Sequence, residues 1–150
     1  MKYKPTDILP LKGYGELLFG ESIDLIIQKT GEADQMDQIE GAEAGSMVLS
    51  YNQPEMALFF EGYGTSILAY IETRDKEALL FGKQIFLLNK SAIINLMAVG
   101  GYDEYVIDYE DGNQVLTYDI AMIDFYFDKD QLLAVSWGVL LDERGEVLNI

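Results

Sequence analysis

The sequence predicts an α+β fold in which two tandem units, each a short helix followed by antiparallel strands, form one sheet of about eight strands with both helices on one face. Three observations lead there. Val48-Leu49-Ser50-Tyr51 recurs as Val115-Leu116-Thr117-Tyr118, a displacement of 115 − 48 = 67 positions, and Met56-Ala57-Leu58-Phe59-Phe60-Glu61 recurs at the same displacement as Ile123-Asp124-Phe125-Tyr126-Phe127-Asp128. Each copy follows a short helical pattern closed by glycine. Each also alternates apolar and mixed positions with the period of two that marks a half-buried strand. A repeat of this length signals a supersecondary unit used twice, because one copy alone buries too little apolar surface. The expected organisation is a single domain over residues 1–150, with repeats at about 17–78 and 79–150 and an N-terminal extension 1–16.

The first unit opens with Leu17-Leu18-Phe19-Gly20, matched by Leu79-Leu80-Phe81-Gly82 in the second. Ser22 is a good N-cap for a helix from Ile23, Asp24 suits the positive helix start, and Gly31 can end the helix in a left-handed conformation. Ile23, Ile26 and Ile27 share a face at helical spacing. In the second unit Ser91 and Gly100 are expected to play the matching roles around Ile93, Ile94 and Met97. The strands Met56–Glu61 and Ile123–Asp128 come next. Turns at Gly62-Tyr63-Gly64 and Asp128-Lys129-Asp130 then lead into Ile67–Ile71 and Leu132–Trp137. Periodicity does not fix the face taken by Trp137, the lone tryptophan, for which a core position is favoured. The tails Arg74–Glu77 and Asp142–Gly145 turn the chain into a last apolar segment of each unit.

Composition limits the chemistry. The 150 residues are 49% hydrophobic, enough for a core, and contain no Cys, so disulfides and thiolate nucleophiles are excluded. There is no His either, which removes the imidazole base and every His-based metal site. No phosphate-cradling glycine loop is present, and Asp108–Asn113 fits a calcium loop poorly. A carboxylate pair such as Asp119 and Asp124 is the one catalytic arrangement left, and nothing in the spacing singles it out. The expectation is therefore no catalytic residue, no metal and no cofactor. The basic N-terminus leads into no apolar run of signal-peptide type, and no segment approaches the length of a membrane span. These features suggest a cytoplasmic protein.

Net charge is the strongest functional clue. With 26 acidic and 10 basic residues the chain carries −16, which disfavours nucleic acid and anionic membranes and favours a basic protein partner. The acids concentrate after each helix. Glu32–Glu43 holds five acids and no base, and Tyr102–Asp111 holds five acids and no base among three tyrosines. Candidate contacts are Asp34, Asp37 and Glu40 in the first stretch. In the second they are Tyr102, Asp103, Glu104, Tyr105, Asp108, Tyr109, Glu110 and Asp111. Carboxylates on a mobile loop can track cationic groups, while Tyr gives contact area at small entropic cost. The competing reading is a solvated loop whose tyrosines pack back onto the sheet. If Ile123, Phe125 and Phe127 pack under the helices, Asp124 and Tyr126 project from the opposite face and join the candidate surface.

The glycine-ended helix, the turn Gly31-Glu32-Ala33-Asp34, and strands of the form Leu-x-Tyr and apolar-x-Phe-x-Phe resemble the unit of the beta-lactamase-inhibitor-like and outer-membrane-assembly lipoprotein families. That resemblance implies two units forming a concave sheet that grips an enzyme. Size, acidity and tyrosine-rich stretches are also similar to bacterial immunity proteins, including those of contact-dependent growth inhibition. This second resemblance implies a non-enzymatic cytoplasmic inhibitor of a cognate toxin domain, often a basic nuclease. The alternatives are an adaptor or structural module, a secreted-enzyme inhibitor of the beta-lactamase-inhibitor-like kind and, third, a small carboxylate enzyme.

Overall fold

The computed structural model describes residues 3–39 and 45–148. Along the chain run β1 (Asp7–Leu9), β2 (Gly13–Tyr14), β3 (Leu17–Leu18), α1 (Ile23–Thr30), β4 (Gln35–Gln38), β5 (Met47–Asn52), β6 (Glu55–Tyr63) and β7 (Thr65–Thr73). They are followed by β8 (Leu79–Leu80), β9 (Lys83–Gln84), α2 (Lys90–Val99), β10 (Val106–Glu110), β11 (Asn113–Tyr118), β12 (Ile123–Asp128) and β13 (Gln131–Gly138).

Local chemistry sets the helix ends. Ser22 Oγ accepts from the Leu25 N–H at 3.3 Å, and Gly31 closes α1 with φ of 85°. The second helix differs from expectation. Asn89 is its cap, accepting from the Ala92 N–H at 2.9 Å, so Ser91 already lies within the first turn. Gly100 keeps a right-handed conformation at φ −75°, and Gly101 takes the left-handed one at φ 97°.

Each helix is followed by four antiparallel strands, and the eight join in one sheet of order β10-β11-β12-β13-β7-β6-β5-β4. The strand registers correspond closely. Leu49 faces Leu58 and Tyr51 faces Met56, while Leu116 faces Phe125 and Tyr118 faces Ile123. A bulge falls in β7 at Ala69, opposite Phe59 and Phe60, and another in β13 at Leu133, opposite Tyr126 and Phe127. At the centre β7 and β13 pair antiparallel, with Ser136 opposite Glu72.

One face of this sheet is the core. Leu49, Leu58, Phe60, Leu116, Phe125, Phe127 and Trp137 are buried in the same cluster as Ile26 of α1 and Ile93 and Met97 of α2, so both helices cover one face as expected. Burying a side chain of this size contributes about 1.5–3 kcal/mol, which is what holds such short helices on the sheet.

The sequence reading placed one sheet where there are two. Residues assigned to an extension supply β1 and β2 of a second, five-stranded sheet of order β3-β2-β1-β8-β9, in which β1 and β8 run parallel. It packs on the core face over the β7–β13 seam, where Tyr14 meets Trp137 edge to face at 5.2 Å and its hydroxyl lies 3.1 Å from Thr73 Oγ1. The two apolar tetrads are not equivalent. Leu17-Leu18 closes one two-residue hairpin and Leu79-Leu80 opens the other, because hairpin position, not the shared letters, decides their pairing.

Candidate protein-binding face

Among the described residues no helix covers the second face of the eight-stranded sheet. Its residues follow from the register. One row crosses all eight strands as Gln35, Ser50, Ala57, Glu72, Ser136, Asp124, Thr117 and Val106. Beside it lie Asp37, Val48, Phe59 and Tyr70 on one side and Asp108, Val115, Tyr126 and Ala134 on the other. Burial agrees: Ile123, Phe125 and Phe127 are enclosed, while Asp124 and Tyr126 are half-buried and point away from the helices.

Aromatic groups form the middle of this open face. Phe59 and Tyr70 pack edge to face at 5.4 Å. The Tyr70 hydroxyl donates to Ser136 Oγ at 2.5 Å, and Ser136 Oγ lies 3.4 Å from the Tyr126 hydroxyl, linking β7, β13 and β12. Burial raises the Tyr70 phenol above its usual range, with the Ser136 bond opposing. Asp124 is likewise raised, chiefly by burial and further by Asp119, while the Thr117 hydroxyl pulls it down.

Charge on the sheet has one sign. Asp37, Glu55, Glu61, Glu72, Asp108, Glu110, Asp124 and Asp128 lie in the eight strands, and none of the described Lys and Arg residues does. Arg74 stands just beyond β7, 3.6 Å from Glu72 and 3.8 Å from Glu55. Outside this sheet, Lys29 pairs with Glu21 at 2.8 Å and Lys4 with Glu77.

The predicted contact residues divide. The post-helix acids were expected on mobile loops, but Gln35–Gln38 and Val106–Glu110 are the two edge strands, because each finds a hydrogen-bonding neighbour in β5 or β11. Seven inter-strand steps of about 4.8 Å put these edges about 34 Å apart along the sheet, so the two acidic stretches border one surface. Asp37, Asp108 and Glu110 are exposed on its open side, which they share with the half-buried Asp124 and Tyr126. Tyr109 is 72% exposed but shares the register of Gln114, on the helix side. Asp111 occupies the β10–β11 turn with φ 48°.

The remaining candidates have structural partners or form a separate cleft. Tyr102 packs against the core cluster, and Tyr105 lies 5.7 Å from Tyr118, so both tyrosines fold back onto the sheet. Asp34 accepts the Asn52 N–H at 2.8 Å and anchors the start of β4. Asp103 and Glu104 are exposed beside a cleft of about 250 Å³. Glu40 lies outside the described residues.

Tyr70, Glu72 and Ser136 are central to the face and went unrecognised in the sequence. The bulges hide them: inward positions run Leu68, Ile71, Thr73 and Leu132, Val135, Trp137, which breaks the alternation that would have revealed the outward ones. Among the described residues no group of three or more His, Cys, Asp or Glu side chains is placed to hold a metal ion, and no helix is long and apolar enough to cross a membrane.

No family model matches the chain, and neither does any curated protein. Its fold is similar to part of the crystal structure of an extracellular protein containing a SCP domain from Bacillus anthracis str. Ames, with 12% identity and a TM-score of 0.52. The match covers 95% of this chain and 48% of that one, so the chain spans about half the length of the protein it resembles. At this identity the likeness concerns the fold alone.

Proposed function

We propose that this chain is a non-enzymatic inhibitor of the immunity type, cytoplasmic and free of cofactors, that covers the basic surface of a toxin domain with its open sheet face. The observation that carries the reading is the absence of Lys and Arg from eight strands that hold eight acids, around a centre of Phe59, Tyr70 and Tyr126. Aromatic groups supply desolvated contact area, and the surrounding carboxylates steer a cationic partner and reject acidic ones. A nuclease fits this description, because its phosphate-binding surface is basic and is blocked by whatever neutralises it.

We also read the two helix-plus-four-strand units as tandem copies. Support comes from the registers of β5–β6 and β11–β12, which correspond at the displacement of 67 seen in the repeated sequence. The bulges lie opposite Phe59/Phe60 and Tyr126/Phe127, which match at the same displacement. Antiparallel pairing of β7 with β13 then generates a continuous face twice the width of one unit.

The test is co-expression with the product of a neighbouring gene that encodes a basic toxin domain. Rescue of growth, lost on reversing the charges of Asp37, Asp108 and Asp124, is the expected result. Growth arrest that this chain leaves untouched overturns the reading. A second reading, an accessory interaction module, is favoured by the occurrence of a similar fold within a longer extracellular protein that contains a SCP domain. It predicts binding without rescue.

A further inference from the structure

Tyr51 and Tyr118 hold the same register position in their strands, opposite Met56 and Ile123, and the Tyr51 hydroxyl reaches the end of the preceding helix. Their surroundings differ. The Tyr51 hydroxyl lies 2.7 Å from Thr30 Oγ1 and donates to the Gly31 carbonyl at 2.9 Å, so its hydrogen bonding is complete. Tyr118 is only 1% exposed, and among the described residues its buried hydroxyl has no hydrogen-bond partner. At the end of α2 the chain offers Val99, which is 88% exposed and has no side-chain hydrogen bond to give.

The space around each tyrosine differs in the same sense. Beside Tyr51, Asp34 is occupied by the Asn52 N–H, and the cleft there ends on Asn52 and Gln53. Beside Tyr118, Asp119 and Ile120 stand at those places, and a cleft of about 250 Å³ is bounded by Tyr102, Asp103, Glu104, Tyr118 and Ile120. Asp103 and Glu104 give the cleft two carboxylates beside Tyr118. Burial raises the Tyr118 phenol above its usual range, with Tyr105 and then Asp103 adding to the shift. An unmade hydrogen bond at a buried hydroxyl is costly enough that native structures rarely leave one without a ligand or water.

We propose that this cleft receives an arginine side chain of the basic partner and so anchors it at one end of the acidic sheet. A guanidinium is planar and carries donors in a fixed fork. Two carboxylates and a hydroxyl acceptor satisfy that fork, and aromatic walls stack on its face. Tyr105 lies over Tyr118 on a segment, Tyr102–Tyr105, without regular secondary structure, and entry of the side chain displaces its ring. The inference rests on the partner being basic, and it adds to the open face a point contact of defined chemistry.

The probe is Nα-acetyl-arginine amide, titrated into isotopically labelled protein, with the norleucine and lysine analogues as comparisons. Saturable amide shifts are expected at 101–105 and 118–120, stronger for arginine than for lysine and absent for norleucine. The cleft beside Tyr51 is expected to stay silent. Tyr118→Phe, which keeps the ring and its packing, is expected to weaken binding about fivefold, and D103N/E104Q to abolish it. Equal shifts at both clefts, shifts scattered over the acidic surface, or unchanged binding to Tyr118→Phe would each overturn the anchor; in the last case the hydroxyl holds only a buried water. If the probe fails while the basic domain still binds the open face, the anchor alone falls and the inhibitor reading stands.

Discussion

The indole N–H of Trp137 donates to the backbone carbonyl of Gly13 at 2.9 Å, joining the centre of the large sheet to the small sheet across 124 residues of chain. Both groups are buried, and Tyr14 braces the same ring from the side. The bond fixes the small sheet over the β7–β13 seam and thereby leaves the opposite face of that seam as the open one.

Trp137→Phe removes this donor, strands the Gly13 carbonyl and leaves part of the indole volume empty. A loss of about 2–4 kcal/mol of stability is expected, read from the midpoint of urea unfolding. A cost below 1 kcal/mol, on the order of a surface substitution, would mean that the two sheets are not coupled through this residue.

Gly138 is required by close approach at the end of β13. A Cβ there would lie 2.6 Å from the Ala69 carbonyl oxygen and 2.7 Å from Tyr70 Cδ1. Gly138→Ala is expected to cost about 1–3 kcal/mol and to disturb the Tyr70 ring, visible in its aromatic proton shifts. Unchanged shifts would contradict this packing.

Asp124 gives a pH dependence of known sign. Burial holds its carboxyl above the usual range, so the folded chain binds that proton more tightly than the unfolded chain does. The stability this contributes is present below the unfolded carboxyl pKa and is lost as pH rises through the folded one. Asp124→Asn is therefore expected to raise the unfolding midpoint at neutral pH and to leave it little changed near pH 3, roughly one unit below the unperturbed Asp value. Destabilisation at neutral pH would show that the carboxylate is favourably paired.

Reversing charge at the sheet edges separates steering from contact. The double change Asp37→Lys and Asp108→Lys alters exposed positions at both edges of the open face. Association with a basic domain is expected to slow about tenfold at low salt and to lose much of its salt dependence, with a smaller change in dissociation. Equal rates for parent and variant would remove the edges from the encounter surface.

Much of this fold is legible in the sequence because it rests on strict local signals. Ser22 and Gly31 announce α1, and the alternation of Ile123, Phe125 and Phe127 fixes one strand and its buried face. Where two signals competed, the nearer one misled. Ser91 looked like a cap, but Asn89, two residues earlier, reaches the orphan N–H. The small sheet escaped notice because its strands are two or three residues long, too short to show a period, and one pairing is parallel between distant segments. The open face was half visible. Asp124 and Tyr126 follow from alternation, whereas Tyr70 and Ser136 lie beyond bulges that shift the phase. The cleft beside Tyr118 has no sequence signal of its own, since it depends on a hydrogen bond that one copy makes and the other lacks.

The most direct measurement is a map of amide shifts on the labelled protein with the basic domain bound. The account predicts that perturbed residues gather on the open face, at Asp37, Phe59, Tyr70, Asp108, Asp124 and Tyr126, while α1, α2 and the small sheet stay unchanged. Perturbations on the helices or on β1–β3, with the open face silent, would contradict it.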